Sequence, residues 1–207
     1  MRFIPRDSME TPYLRLRPLA AGDAPALFDQ MLGDAETMRD LPMPRHTGVA
    51  QTAEFIAEAL NGWESGSLIR YVLECRQTGQ LTALIELKPM LPRVEIGVII
   101  SRQGGARRRR AGVLALQELI DWLIEQPGVY RIFACCAVDG AAHSSMERLG
   151  FEQEALLRNH EPRPNRGLAA DNSYLYALTR PAPTPPEPPS EGVAWLRNTM
   201  QWGLADA

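Results

Sequence analysis

Four consecutive arginines, Arg107, Arg108, Arg109 and Arg110, stand between Gly104 and Gly105 on one side and Gly112 on the other. They follow the apolar run Val94–Ile100 and precede a stretch in which Leu116, Leu119, Ile120 and Leu123 recur at helical spacing. A helix that opens directly after a strand presents unpaired N–H groups and the positive end of its dipole. Glycines let such groups close around an anion, and guanidinium groups add charge-assisted hydrogen bonds. Phosphate binding is the chemistry this composition suits. A solvated basic turn and a nucleic-acid patch share the composition, so the loop alone leaves three readings open.

Three carboxylates could take a proton from a nucleophile: Glu86, Glu95 and Glu161, each on or beside an expected strand. A salt-bridged strand-edge glutamate has the same local sequence. The three cysteines, Cys75, Cys135 and Cys136, are an odd number with two adjacent, which is no disulfide framework. No CxxC and no histidine at ligand spacing accompanies them. We read Cys135 and Cys136 as buried strand residues, expect no metal, and expect a reducing, cytoplasmic setting.

These groups need a scaffold. Leu14 and Leu16 alternate with Tyr13, Arg15 and Arg17, a half-buried strand over 13–19. Asp23 and Pro25 then open a helix with Ala24, Leu27, Phe28 and Met31 on its apolar face. A second helix is expected over Val49–Asn61, with Ala53, Ile56, Leu60 and Trp63 on one side. Ile69, Tyr71, Leu73 and Cys75 share one face of a strand, and after a QTGQ turn Leu81, Ala83, Ile85 and Leu87 share one face of the next. Val94–Ile100 reads as a strand covered on both faces. The helix after the arginines ends at Pro127 and Gly128, followed by a strand over 131–138, a short helix ending at Gly150, a strand from Phe151, and a last strand over 173–180. The order β-α-α-β-β-β-α-β-α-β-β predicts an α/β domain: a mixed, mostly antiparallel sheet flanked by helices on both faces.

The domain is expected to end at residue 180. Residues 181–192, PAPTPPEPPSEG, are a proline-rich linker. Residues 193–207 form a tail in which Val193, Leu196 and Met200 share a helical face near Trp195 and Trp202, a candidate surface for a protein partner or a second copy. The chain has 207 residues, 45% hydrophobic and 23% charged, with a net charge of −3. That is ordinary globular composition, and no segment has the length of a membrane span or the apolar stretch of a signal peptide.

Taken together, LRLRPLAAGDAPALF, EIGVII, the helix after the arginines and MERLGFEQEALLR resemble the RimJ/RimL-type branch of the GNAT superfamily of N-acetyltransferases, over roughly residues 12–180. The resemblance implies acetyl-CoA in a V-shaped cleft between the strands at 94–100 and 131–138. It implies pantetheine pairing with the backbone of Val98, Ile99 and Ile100, and pyrophosphate against Gly104, Gly105, Ala106, Arg107, Arg108, Arg109, Arg110, Ala111 and Gly112. The family loop usually reads Q/R-x-x-G-x-G/A. Here one count puts its first glycine near Ala106, and another puts its two glycines at Arg108 and Arg110. The family's N-x-x-S motif falls on Asp139 and Ala142, so the serine proposed elsewhere to protonate the leaving thiolate is missing. The catalytic glutamate of the branch falls on Glu161.

The expected activity is acetyl transfer to a primary amine, with Glu161 as base and Glu95 next in line. A backbone N–H of an irregular strand near Gly97 or Val98 would receive the oxyanion. The expected partners are acetyl-CoA and an amine, with no membrane and no nucleic acid. The alternative is a non-catalytic domain of the same fold that has become a binding or scaffold protein.

Overall fold

The alternating and apolar segments resolve into one eight-stranded sheet in the computed structural model, which describes residues 3–103 and 106–181. The strands are β1 (Met9–Glu10), β2 (Leu14–Pro18), β3 (Ile69–Cys75), β4 (Leu81–Met90), β5 (Arg93–Ile100), β6 (Arg131–Ala137), β7 (Glu152–Arg163) and β8 (Leu168–Thr179). The helices are α1 (Ala24–Leu27), α2 (Ala35–Met38), α3 (Val49–Ser65), α4 (Ala106–Ile124) and α5 (His143–Arg148). The spatial order is β1-β2-β3-β4-β5-β6-β8-β7, and every pair is antiparallel except β5 with β6. The expected architecture holds, with β1 and α2 as additions. Gly104, Gly105, the side chains of residues 106–109, the linker and the tail lie outside the described residues.

Two cores sandwich the sheet. Ala83, Ile85, Leu87, Val94, Ile96, Ile132 and Ala134 point to one side, against Leu116, Leu119, Ile120 and Leu123 of α4 and Met146 of α5. Val72, Leu81 and Leu84 point to the other, against Leu27 of α1 and Ile56 and Ala59 of α3. Leu81 therefore does not share a face with Ala83. The register shifts between Leu73 and Glu74, and Thr82, whose hydroxyl donates to the Leu73 carbonyl at 3.0 Å, is the extra residue. A bulge of this kind turns one residue to the opposite face.

The buried stripe of α3 is Thr52, Ile56, Ala59 and Gly62, while Ala53 and Leu60 face solvent. This corrects the expected face. Gly62 is required there: a Cβ would stand 2.6 Å from Leu68 Cβ and 2.7 Å from the Leu68 carbonyl. The helix runs on to Ser65 and stops at Gly66, which takes φ +72°. In the helical segment after β2, Asp23 does not cap through its side chain. Its carboxylate binds the Arg17 guanidinium with two 2.8 Å contacts and accepts from the Ala20 N–H. Asp34 caps α2 instead, accepting from the Thr37 N–H at 2.7 Å.

Candidate functional site

The two parallel strands touch only at one end. β5 and β6 pair at Arg93–Glu95 with Arg131–Phe133, and beyond that no pairing joins them. Hydrogen-bond alternation shows which groups face the resulting gap. Ser101 N–H bonds to the Thr82 carbonyl, so Thr82 and Ser101 are a hydrogen-bonded pair, and every second residue back along β5 also turns its polar groups to β4. Ile99 and Gly97 are therefore committed to β4. Val98 and Ile100 turn their N–H and carbonyl groups into the gap. Of the three residues expected to meet a pantetheine arm, Val98 and Ile100 face the gap with their backbone and Ile99 faces β4. β5 is regular from Arg93 to Ile100, with no bulge. The expected irregular strand is absent, and of Gly97 and Val98 only Val98 turns its N–H into the gap. Nor is β5 covered on both faces: Gly97 is exposed and Ile100 is 48% exposed.

The segment after β5 is tethered before α4 begins. Ser101 Oγ donates to the Gln30 carbonyl, Arg102 N–H to Thr37 Oγ1, and Gln103 Nε2 to the Asp29 carbonyl. α4 then opens at Ala106, so Arg107 to Arg110 lie in its first turns and not in a loop. Arginine at positions 108 and 110 needs only helical backbone there. Gly112 is inside the helix, with open space where a Cβ would be.

On the sheet face opposite α4, Glu95 pairs with Phe133, Cys135 follows two residues along β6, and Ser173 stands opposite Ala137 on the same face. Glu161 joins them: its Oε2 accepts from the Ser173 hydroxyl at 2.9 Å and from Arg163 Nη2 at 3.0 Å. Arg163 is completely buried and also donates to Ser173 Oγ and the Pro162 carbonyl. Burial, then the charges of Glu161 and Glu95, push the Cys135 thiol up to about 11. Cys135 is therefore a protonated, poor nucleophile at neutral pH. It is also half-exposed, and its Sγ lies 3.5 Å from His160 Nε2, so its reading as a buried strand residue is corrected, while that of Cys136 stands. Glu86, the third carboxylate, is bound by Arg70 at 2.6 Å and Lys88 at 3.0 Å. Burial opposes its ionisation, but the attraction and hydrogen bonds of Arg70 and Lys88 outweigh it and hold the carboxyl below the usual range. That makes Glu86 a structural ion-pair partner.

A charge cluster forms at the β7–β8 tip. Arg166, in the turn between β7 and β8, lies 3.5 Å from Asp139, 3.4 Å from Asp171 and 3.8 Å from Asp40. Its neighbour Asn165 donates from Nδ2 to the Met38 and Met43 carbonyls and accepts from the Arg45 N–H. The β7–β8 tip is thus fastened to the segment after α2. Ala142 is the N-cap of α5 and offers no acid. The adjacent His143 is engaged: its Nε2 donates to the Val138 carbonyl at 2.9 Å, and its Nδ1 meets the Tyr176 hydroxyl at 3.2 Å.

His160, Arg163, Ser173 and Arg166 were not picked out from the sequence. His160 reaches Cys135 because residues 158–160 of β7 oppose the single residue 172 of β8. Asn159 sits in that bulge with φ +50°, its N–H on Asn172 Oδ1. Asparagine tolerates this backbone better than most residues, and an Asn-His pair before a glutamate is the one local signal of it.

The profile of the family described as "Acetyltransferase (GNAT) domain" matches residues 13–152. No curated protein matches the chain in sequence. Solved structures match in fold. The microcin self-immunity acetyltransferase MccE, solved with acetyl-CoA and AMP, superposes with a TM-score of 0.74 at 13% identity, covering 86% of this chain and 98% of that one. The ribosomal-protein alpha-N-acetyltransferase RimL, solved with coenzyme A, gives 0.70 at 18% identity over 82% and 95%. A ribosomal-protein-alanine acetyltransferase from Vibrio fischeri gives 0.71 at 14% identity over 86% and 99%. At identities this low the likeness is one of fold.

Proposed function

Because the chain belongs to the GNAT acetyltransferase family, we propose that this N-acetyltransferase moves the acetyl group of acetyl-CoA onto a primary amine, a protein N-terminus or a small amine, that approaches beside Glu95 and Glu161. The carrying observation is the pairing of two features across one gap. Backbone groups of Val98 and Ile100 are turned away from β4, and two carboxylates flank Cys135 on the face opposite α4 and α5.

An extended pantetheine arm pairs with those backbone groups as a strand would, and the phosphates meet the N-terminus and arginines of α4. Glu161 takes the proton of the incoming ammonium, directly or through a water. Its Oε2 is held by Arg163 and Ser173, so the proton goes to the other oxygen. The amine nitrogen then attacks the thioester carbonyl, the Val98 N–H donates to the oxyanion, the C–S bond breaks as the carbonyl re-forms, and the proton left on the nitrogen passes through solvent to the departing thiolate. A thiolate is a good leaving group near neutral pH, so the alanine at position 142 is tolerable. Holding both reactants in the gap supplies much of the acceleration.

The test is thiol release from acetyl-CoA by the purified chain against a panel of peptides with free N-termini and small amines. Release that requires an amine supports transfer. Coenzyme binding without release from any amine would overturn it.

A further inference from the structure

We propose that Cys135, His160 and Glu161 form a binding site for a divalent transition-metal cation, with Zn²⁺ the best match. The thiol Sγ, a ring nitrogen of His160 and a Glu161 carboxylate oxygen all lie within 4.8 Å of one another. Sulfur, imidazole and carboxylate form a donor set suited to Zn²⁺ or Co²⁺ and poorly suited to Mg²⁺ or Ca²⁺. Tetrahedral zinc with its usual Zn–S and Zn–N bond lengths separates those two ligand atoms by about 3.5 Å. Cys135 Sγ and His160 Nε2 stand at 3.5 Å without any movement. Only the carboxylate oxygen has to close up.

The surroundings favour the set. Arg163 and Ser173 hold one Glu161 oxygen, which orients the carboxylate in the way outer partners orient a metal ligand. His160 is exposed, so the cation has a path from solvent and a fourth position is open to water. On binding, the Cys135 thiol proton passes to solvent. The thiolate and carboxylate then balance the two positive charges of the ion.

Occupancy would tie up Glu161, so the ion should inhibit acetyl transfer. That consequence rests on Glu161 being the base, whereas binding does not. The test is titration of the reduced, tag-free full chain with Co²⁺, followed by Zn²⁺ competition. Expected is a thiolate-to-cobalt charge-transfer band that Zn²⁺ abolishes, that is lost in Cys135→Ser, and that survives in Cys75→Ser. His160→Ala, a surface change the fold tolerates, should weaken affinity by about ten-fold or more. No band in the wild type, a band that persists in Cys135→Ser, or undiminished affinity in His160→Ala would overturn the site. Zn²⁺ should inhibit wild-type thiol release and spare His160→Ala; binding without inhibition would overturn the inhibitory role. Absence of activity in the metal-free protein would count against the acetyltransferase reading alone, because the site is read by absorbance.

Discussion

Arg163 Nη2 lies 3.0 Å from Glu161 Oε2 and 2.8 Å from the Ser173 hydroxyl, with the whole of Arg163 sealed from solvent. The carboxylate proposed as the base is therefore also the counter-ion of a buried cation. Its two roles can be separated by choice of substitution.

Glu161→Gln keeps an oxygen acceptor for Arg163 and Ser173 but cannot take a proton. It should lower turnover by on the order of 10²-fold while leaving coenzyme affinity nearly unchanged, since a base acts only in the transition state. Glu161→Ala should add a loss of stability of about 3 kcal/mol, because it strands the Arg163 charge. Steady-state kinetics and urea unfolding of the two variants make the comparison. Full-rate turnover in Glu161→Gln would remove Glu161 from the mechanism and promote Glu95.

The backbone alternation of β5 supports a paired test with proline, which removes one N–H at a time. Val98→Pro deletes an N–H that faces the gap and none in the β4–β5 ladder. It should cut turnover by on the order of 10²-fold through loss of the oxyanion donor. Ile99→Pro deletes a ladder bond and should lower the melting temperature more than Val98→Pro does. Equal melting losses with equal turnover would contradict the assignment of Val98 to the gap.

Acid stability should depend on Asp23. Burial raises its proton affinity, but hydrogen bonds from Arg17 and the Ala20 N–H outweigh that and hold the carboxyl below its ordinary value. A depressed folded pKa gives stability that is fully present above the unfolded value and is lost as pH falls through the folded one. Asp23→Asn should therefore be less stable than wild type at neutral pH. The gap should narrow as pH drops below about 4. A gap that is constant with pH, followed by thermal melts, would show that the Arg17 pair contributes nothing through charge.

The element order could be read from the sequence because strand alternation and helical spacing are local. The bulges could not. Thr82 turns Leu81 to the far core, and residues 158–160 lift His160 onto Cys135. Both are set by the partner strand's register, which no local pattern encodes. The same limit explains Arg163. An arginine in a polar stretch reads as a surface residue until the fold wraps Glu161 and Ser173 around it. Glu161 is singled out by its spacing from Phe151 in the family pattern, and Ala142 by the same counting; the contacts of Glu161 with Ser173 and Arg163 could not be read that way.

The last prediction concerns the arginines that opened the sequence. α4 starts at Ala106 and runs nineteen residues, so its first-turn N–H groups belong to residues 106–109. An anion there meets backbone donors and the helix dipole. Replacing Arg107 and Arg108 together with Ala should weaken acetyl-CoA binding by about 1–3 kcal/mol if each makes a charge-assisted bond. It should also flatten the salt dependence of that binding, because fewer charges are screened. Turnover at saturating coenzyme should change little, since the phosphates are remote from the reacting carbonyl. Calorimetric titration with acetyl-CoA and with free coenzyme A, at low and high salt, reads all three. Unchanged affinity in the double variant would leave phosphate capture to the backbone of the helix start and reduce the arginine run to a solvated face.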